Sequence, residues 1–556
     1  MARTGSVASP SLVGRRGTLA IATTAVGLSA SLGRPLIVQG GVPVTSDTLH
    51  AIDATFLRVE HDGAHMHVGG VLLCGGEPPT CSELARAVEG RLDQIPRFRQ
   101  RLLIDRLGIA YPRWVDDTNF DIGYHVRVTA LPSPGGEPEL RTLVGRLFSQ
   151  PLDRSRPLWE LWLVEGCSGG GFALVSKMHH CLVDGIASAN VATVLFDAQP
   201  VPADDERPRR AWRARPAPAR RMTALETAGE LIGGPLSLVR KTLPALRQPR
   251  EFLSRSRTVA GGLGDFLVAG LTPAPPSRYN VPLTSHRRFT WVGCDLDEVK
   301  TIKNAFGVTL NDVVLAAVAG ALRRHLRRSG EEVAGRQLKA MVPVNVRTEL
   351  DGADSGNRIT TLFTTLPIGM AHPVDRVEAV AASMRRLKAS NQVLGANTLA
   401  TVMDAVTPRA VGPIADLLSS PRTFNITITN IPGPQFGLYV LGRELREIVP
   451  MVPLAGGHAL GIAVFSYKGR LSFGLLADYL AVPDLELLAD DLRAALGELA
   501  TAAAGWREDE VTLRGEAIRP RAARAPAFKG ASGRGGRRTR SRGGSSKQPA
   551  AVSHPR

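Results

Sequence analysis

Two adjacent histidines, His179 and His180, lie in the stretch SKMHHCLVDGIAS and are followed by Asp184 and Gly185. The chain has only 12 histidines in 556 residues, so the spacing HHxxxDG concentrates ionisable groups in an otherwise apolar segment. Three kinds of site are compatible with these residue types: a metal site, a nucleophilic or general-base site, and a buried hydrogen-bonded pair.

A metal site is the least favoured of the three. Adjacent residues of a strand point to opposite faces, so His179 and His180 are a poor chelating pair. The chain has no HExxH spacing, and its five cysteines are scattered without a CxxC pair. We therefore expect no bound metal. An odd number of scattered cysteines also argues against a disulfide framework and fits a reducing cytosol.

The segment GCSGG (166–170) formally matches the GxSxG pattern of serine hydrolases. A nucleophile elbow requires a strand, a sharp turn and then a helix. Here further glycine and a strand-like run follow Ser168, so the segment predicts a hairpin turn, with Ser168 in the turn and not a nucleophile.

A general base needs only one histidine. If the preceding strand ends near Met178, His180 lies at the strand end and faces a cleft, while His179 faces inward. Asp184 then lies near the start of the following helix, and Gly185 gives the turn backbone freedom. A neutral imidazole with a pKa of about 6.5 can accept a proton from a hydroxyl. From the residues alone, a buried hydrogen-bonded pair is an equally good interpretation.

The flanking sequence mixes strands and helices in two lobes joined by a linker. In residues 42–199, strand-like runs such as HMHVGGVLLC and GFALVSKMHH are interspersed with helical segments such as SELARAVEGRLDQI. Residues 200–285 begin rich in Pro and Arg and predict a crossover linker with helical segments. Residues 286–506 are again mixed, and HALGIAVFSYKGRLSFGLLAD predicts a hairpin turning at Lys468 and Gly469. Without strict βαβ alternation, the pattern predicts an α+β fold with mixed α/β layers.

The two ends differ in composition from these lobes. Residues 507–556 are predicted to be a disordered basic tail, in which twelve Lys and Arg against one Glu between 514 and 556 carry +11 of the net charge of +17. The tail could contact anionic lipid or nucleic acid, although a solvated tail without a dedicated function is the simpler interpretation. Residues 1–41 contain a short apolar run after two arginines that resembles a signal peptide. We interpret them as a disordered or mis-assigned extension, with a targeting segment as the alternative. No other stretch approaches a membrane span.

Further segments occur in order around HHxxxDG. They are DATFL (53–57), MHVGG (66–70), IPRFRQRL (95–102), RPLWELWLVEG (156–166), NDVVLAAVAGALR (311–323), PVNVR (343–347), GN (356–357) and TNIPGP (429–434). Together they resemble the CoA-dependent acyltransferase superfamily and, within it, the bacterial wax ester synthase/acyl-CoA:diacylglycerol acyltransferase family. The resemblance covers about residues 45–500.

This resemblance implies two chloramphenicol-acetyltransferase-like lobes with the active site between them. It implies that His180, the second histidine of the pair, accepts the hydroxyl proton. His179 then packs or orients, and Asp184 holds the loop in a structural role. Asn311 and Asp312 match the family's second motif and are expected to border the site from the other lobe.

The resemblance also implies the reaction and its partners. A long-chain acyl group passes directly from acyl-CoA, a substrate and not a permanently bound cofactor, to diacylglycerol. A fatty alcohol, giving a wax ester, is the alternative acceptor, and a non-catalytic lipid-surface protein is less favoured because HHxxxDG is intact. A carrier-dependent condensation domain would need a neighbouring carrier domain. We expect a cytoplasmic protein, peripheral at a membrane or lipid-droplet surface, with no specific nucleic-acid partner. Trp159 and the TNIPGP segment are expected to be structural.

Overall fold

The computed structural model describes residues 48–61, 63–104, 110–183, 191–201, 212–215, 270, 272–345, 359–389, 408, 411–413, 416 and 420–518. Helices α1 to α8 span Ala51–Val59, Cys81–Glu89, Ile122–His125, Glu137–Ser149, Leu296–Ala305, Leu310–Arg328, Pro373–Ala389 and Leu485–Ile518. Strands β1 to β14 span His67–Gly75, Gln100–Leu103, Arg113–Asp116, Val126–Ala130, Trp159–Cys167, Gly171–His179, Arg287–Asp295, Leu338–Asn345, Ile359–Leu366, Ile426–Pro432, Tyr439–Val440, Arg443–Met451, Leu460–Tyr467 and Arg470–Asp478.

The first sheet has the strand order β11–β12–β1–β6–β5–β4 among the described residues. Strand β6 is antiparallel to both of its neighbours, β1 and β5. Alternate residues of β6 enter two different hydrophobic clusters: Phe172 and Leu174 enter one, and Ala173 and Val175 the other. Strand β6 is therefore covered on both faces, which explains its nearly continuous apolar sequence.

The second sheet has the order β7–β14–β13–β10–β8–β9 in the described part of the chain. Strands β13 and β14 form the predicted hairpin, and the turn residues Lys468 (φ 45°) and Gly469 (φ 78°) both have positive φ, as a type I′ turn requires. Helix α6 packs with α8 over this sheet, and its residues from Asp312 to Leu322 are all buried. The predicted mixed α/β layers are confirmed.

One segment of the C-terminal half joins the sheet of the N-terminal lobe, which the boundaries predicted from sequence did not anticipate. Strands β11 and β12 come from the C-terminal half, yet β12 pairs antiparallel with β1, with Val449 opposite Val71. The chain then returns to the second sheet at β13. The Tyr467 hydroxyl of β13 accepts a hydrogen bond from Leu438 N–H (2.7 Å) and donates one to Leu445 O (3.0 Å). These bonds tie the segment of β11 and β12 to the C-terminal lobe.

Several boundaries differ from those predicted from sequence. Helix α2 ends at Glu89, whereas the amphipathic pattern predicted a helix to Ile95; Gly90 caps the helix and turns follow. Helix α8 continues to Ile518, which corrects the predicted start of the disordered tail at residue 507.

Some predicted segments lie outside the described residues. They are residues 1–41, most of the linker 200–285, the start of the helix predicted after Asp184 and residues 519–556; that helix is present over residues 191–195. Helices α1 and α7 and strands β7 and β12 are elements that the sequence analysis did not assign.

Within the described ranges, no single helix is both long enough and apolar enough to cross a membrane. Helices α5 and α6 meet the length and composition only as a pair, and they are bent by 98° at the break between them. Much of the apolar surface of α6 is buried in the core of the second lobe.

Replacement of Gly474 by alanine tests the close approach of the two sheets. A Cβ added to Gly474 in β14 would lie 1.8 Å from Pro450 O in β12, so the sheets must move apart. Overpacking of this kind costs about 1–3 kcal/mol, and we expect a lower melting temperature for Gly474→Ala. Gly497→Ala is the control, because a Cβ there meets nothing within 4 Å and alanine favours the α8 helix. Equal melting temperatures for the two variants would contradict this packing.

Candidate active site

Strands β1 and β6 bring the two parts of the candidate site together. In their antiparallel register, His67 lies opposite His179, the last residue of β6. The pairing continues one residue further, because His180 N–H donates to Met66 O at 2.8 Å. His179 is buried, with 1% of its surface exposed, whereas His180 is partly exposed. This is the alternation expected at a strand end.

Two hydrogen bonds fix the state of the His179 ring. Its Nδ1 accepts the Cys181 backbone N–H at 3.1 Å, so Nδ1 carries no proton. The proton of the neutral ring is therefore on Nε2, which lies 2.5 Å from Glu60 Oε2 and donates to it. His179 thus links the backbone that follows His180 to the end of helix α1.

Glu60 is a nearly buried carboxylate at the centre of a polar cluster. Its Oε2 also accepts a hydrogen bond from Arg154 Nη2 at 2.9 Å. Its Oε1 lies 3.7 Å from His65 Nδ1 and 4.0 Å from His67 Nε2. Burial raises the pKa of Glu60, but the hydrogen bond from His179, the nearby His65 ring and the charge of Arg154 outweigh burial and hold the pKa far below its ordinary value. Glu60 is therefore a permanent negative charge.

The His180 ring lies against an aromatic side chain. Its centroid is 4.0 Å from that of Phe56, with 19° between the ring planes. Its Nδ1 is buried and has no hydrogen-bond partner on another described residue. Burial lowers the pKa of His180 to about 4. The ring is therefore neutral near pH 7 and able to accept a proton.

Sequence reasoning missed Phe56 and Glu60, although signals for both were present. Phe56 lies inside the DATFL segment that contributed to the family resemblance. Glu60 immediately precedes a region in which His61, His65 and His67 concentrate three of the chain's 12 histidines within seven residues. A dense histidine cluster beside one acid could have indicated a polar network.

The other predicted site residues fall in two places. Asp184 and Gly185 lie outside the described residues. Asp312 lies in the first turn of helix α6, where its Oδ2 accepts hydrogen bonds from Thr309 N–H (2.9 Å) and Thr309 Oγ1 (2.7 Å) in a capping box. Asn311 beside it is partly exposed. Among the described residues, no hydrogen bond or ion pair joins Asp312 to the histidine pair, and its contribution to the site stays a prediction.

Two further sequence interpretations concern residues near the site. Trp159 is buried, and its Nε1–H donates to Phe98 O at 2.8 Å, so it packs in the core as expected. Ser168 lies in the turn between β5 and β6, where its N–H donates to Gly135 O at 2.7 Å. The GxSxG match is therefore a hairpin turn, as predicted.

The Glu60 cluster contains residue types that commonly bind metals, with His65 and His67 nitrogens 3.7 and 4.0 Å from the carboxylate. In the described part of the chain, no group of three or more His, Cys, Asp or Glu side chains has an arrangement that could hold a metal ion.

Sequence comparison places the chain among known acyltransferases. Residues 49–314 match the wax ester synthase/diacylglycerol acyltransferase catalytic domain, and residues 355–500 match the C-terminal domain of the same family. The chain is 34% identical over 466 residues to the probable diacylglycerol O-acyltransferase tgs2 of Mycobacterium tuberculosis, covering 82% of this chain and 98% of that protein. It is 30% identical over 461 residues to tgs1 of the same organism, covering 81% and 95%.

Solved structures agree with the sequence matches. The wax ester synthase/diacylglycerol acyltransferase from Marinobacter aquaeolei VT8 is 28% identical and superimposes with a TM-score of 0.57 over 82% of this chain and 100% of that one. The first condensation domain of the calcium-dependent antibiotic synthetase shares the fold, with a TM-score of 0.52 at 17% identity over 83% of this chain and 97% of that domain. The HHxxxDG segment, the two-lobed fold and both domain matches lead to one assignment: the chain belongs to the wax ester synthase/diacylglycerol acyltransferase family.

Proposed function

We propose that the protein transfers a long-chain acyl group from acyl-CoA to the free hydroxyl of diacylglycerol, giving triacylglycerol and CoA. The observation that carries this proposal is the state of His180: a partly exposed residue directly after β6 whose imidazole is neutral near pH 7 and stacks on Phe56. The names of the Mycobacterium relatives support diacylglycerol as the acceptor.

The chemistry follows from that state. His180 Nε2 accepts the proton of the diacylglycerol hydroxyl while the hydroxyl oxygen attacks the thioester carbonyl carbon. The C–S bond breaks, the new ester C–O bond remains, and the departing CoA thiolate takes the proton from the imidazolium. The step needs two substrates held together and no acyl-enzyme intermediate, so orientation of the imidazole contributes directly to the rate.

A long-chain fatty alcohol is the second candidate acceptor. Both the catalytic-domain match and the Marinobacter neighbour carry wax ester synthase in their descriptions. The same proton transfer at His180 serves either alcohol. The acceptor is therefore decided by the apolar surface that binds the alcohol chain and not by the general base.

We further propose that the protein works at a membrane or lipid-droplet surface, because diacylglycerol and triacylglycerol do not dissolve in water. Residues 519–556 contain eleven Lys and Arg and no Asp or Glu. Each basic residue close to an anionic surface contributes about 1 kcal/mol of binding, which favours attachment through this segment.

Loss of the His180 side chain tests the general base. We expect His180→Ala to lower the rate of CoA release with long-chain acyl-CoA and diacylglycerol by about 10²- to 10⁴-fold, because the hydroxyl proton then lacks an acceptor. The KM for acyl-CoA and the melting temperature should change little. His286→Ala is the control, since His286 is exposed on the second lobe. Turnover near the wild-type rate in His180→Ala contradicts the assignment of the general base. If the wild-type protein releases CoA only with a fatty alcohol, the acceptor is a fatty alcohol and not diacylglycerol.

The pH profile tests the environment of His180. Activity requires the neutral ring, and burial lowers its pKa to about 4, so activity is present above this pH and is lost as the pH falls through it. If the histidine were exposed to solvent, activity would instead be lost at about pH 6.5, more than two pH units higher. We expect kcat/KM measured at constant ionic strength to be flat from about pH 8 down to about pH 5.5. A midpoint near pH 6.5 would show that the ring is solvated.

Removal of the basic segment tests surface attachment. Truncation after Ile518 keeps helix α8 intact and removes a net charge of +11. We expect weaker sedimentation with anionic vesicles, most clearly at low salt, because the Debye length is about 8 Å at physiological ionic strength. Turnover on detergent-dispersed diacylglycerol should be unchanged. Equal sedimentation of both proteins would leave the segment without this function.

A further inference from the structure

Helix α1 and the residue that caps it contact both histidines of the pair. Phe56 lies in the last turn of α1, and Glu60 follows the helix as its C-cap with an extended backbone. Phe56 stacks on the His180 ring, and Glu60 accepts the hydrogen bond of His179 Nε2. The two contacts reach across more than 115 residues of sequence, since His179 follows Glu60 by 119 positions.

The Phe56 contact restricts rotation of the His180 ring. A catalytic imidazole is commonly oriented by a hydrogen bond to its second nitrogen. In His180 that nitrogen, Nδ1, is buried and bonds to no other described residue. A near-parallel stack at 4.0 Å restricts rotation about the Cβ–Cγ bond instead, and so directs the Nε2 lone pair.

The Glu60 contact fixes the backbone on the other side of the ring. Because Glu60 holds the Nε2 proton of His179, Nδ1 of His179 is free to accept the N–H of Cys181. Cys181 and His179 flank His180 in sequence. The backbone before and after His180 is therefore tied to one ring whose orientation depends on Glu60.

Helix α1 is itself anchored at several points. Arg154 donates to Leu57 O at 3.3 Å as well as to Glu60. Arg58 forms a bidentate pair with Asp416, at 2.8 and 3.2 Å. The loop that follows the helix is held by Arg287 of β7, whose Nη2 donates to Gly63 O. The helix end therefore has little freedom to move relative to the strands.

We propose that the end of helix α1 is a positioning clamp for the general base, in which Phe56 sets the plane of the His180 ring and Glu60, through His179, sets the backbone that carries it. The proposal deepens the proposed function and rests on it. Phe56 and Glu60 are positioning residues: neither transfers the proton. Misplacement of an imidazole by about 1 Å is enough to cost about 10²-fold in rate.

The first experiment replaces the stacked ring. Phe56→Leu keeps an apolar side chain but removes the ring face, whereas Phe56→Tyr keeps it. We expect kcat for Phe56→Leu to fall by about 10- to 100-fold with an unchanged KM for acyl-CoA, and kcat for Phe56→Tyr to stay near the wild-type value. Diethyl pyrocarbonate, which modifies neutral imidazole nitrogen, should modify His180 faster in Phe56→Leu than in the wild type, as followed by mass spectrometry.

These two measurements separate the clamp from the proposed function. If the wild type shows no acyl transfer to any acceptor, the proposed function fails, and the modification rates alone decide the clamp. Wild-type kcat in Phe56→Leu, or a modification rate unchanged from the wild type, overturns the proposal. A loss of kcat in Phe56→Leu that is accompanied by a lower melting temperature also overturns the proposal.

The second experiment tests whether Glu60 acts through His179. We expect Glu60→Ala to lower kcat in the wild-type background but to add nothing in a His179→Ala background, because both changes remove the same contact. Glu60→Gln should keep most of the activity, since its amide oxygen can accept the same hydrogen bond. Equal losses from Glu60→Ala in both backgrounds overturn this arm of the clamp.

Glu160→Ala is the matched control for Glu60→Ala. The Glu160 side chain has the same 8% exposure and bonds to basic groups, with Lys177 at 3.8 Å and Arg127 at 3.5 Å. It does not contact the histidine pair among the described residues. We expect Glu160→Ala to lower the melting temperature with little change in kcat. A kcat loss equal to that of Glu60→Ala would count against the clamp.

Discussion

Strand β1 is the element on which the rest of the structure depends. One edge pairs with β6, which ends at the histidine pair, and the other pairs with β12, which belongs to the C-terminal half. Both pairings are tight at glycines: a Cβ at Gly69 would lie 1.9 Å from Ser176 O, and one at Gly70 would lie 2.7 Å from Val449 O. The MHVGG segment thus supplies backbone without side chains at the place where three strands meet. Because β1 also follows the loop from α1, one strand sets the position of the histidines, the helix and the second lobe together.

The site is further shaped by how its buried charges are neutralised. An unpaired carboxylate in an apolar interior is costly, and Glu60 meets this cost with one guanidinium, Arg154, and hydrogen-bond donors from neutral histidine. On β6 itself, two residues before His179, Lys177 has 1% of its side chain exposed and is balanced by Glu160 and the Gln150 carbonyl. Burial lowers its pKa to about 8. The buried carboxylate and the buried ammonium near the histidine pair therefore each have a partner of opposite charge.

Local sequence patterns predicted most elements and the alternation of the histidine pair, but not the residues that contact the pair. The exposure of His180 and burial of His179 follow from strand alternation, and the β13–β14 hairpin follows from a Lys-Gly turn, because both are set by neighbouring residues. The contacts of Phe56 and Glu60 join segments about 120 residues apart, and periodicity carries no information on such pairing. The membership of β12 in the first sheet was unpredictable for the same reason: a strand sequence specifies which face is buried, but not which sheet supplies its neighbours.

The low basicity of His180 is consistent with direct transfer between bound substrates. A base with a pKa of about 4 is fully unprotonated at neutral pH, but it holds a proton poorly. Stable protonation is unnecessary when the thiolate that leaves in the same reaction is a stronger base and takes the proton at once. What such a base cannot tolerate is misorientation, because a weak acceptor gains little from a long or bent hydrogen bond. Burial that keeps the ring neutral and contacts that fix its plane therefore have to occur together, and the end of α1 supplies part of both.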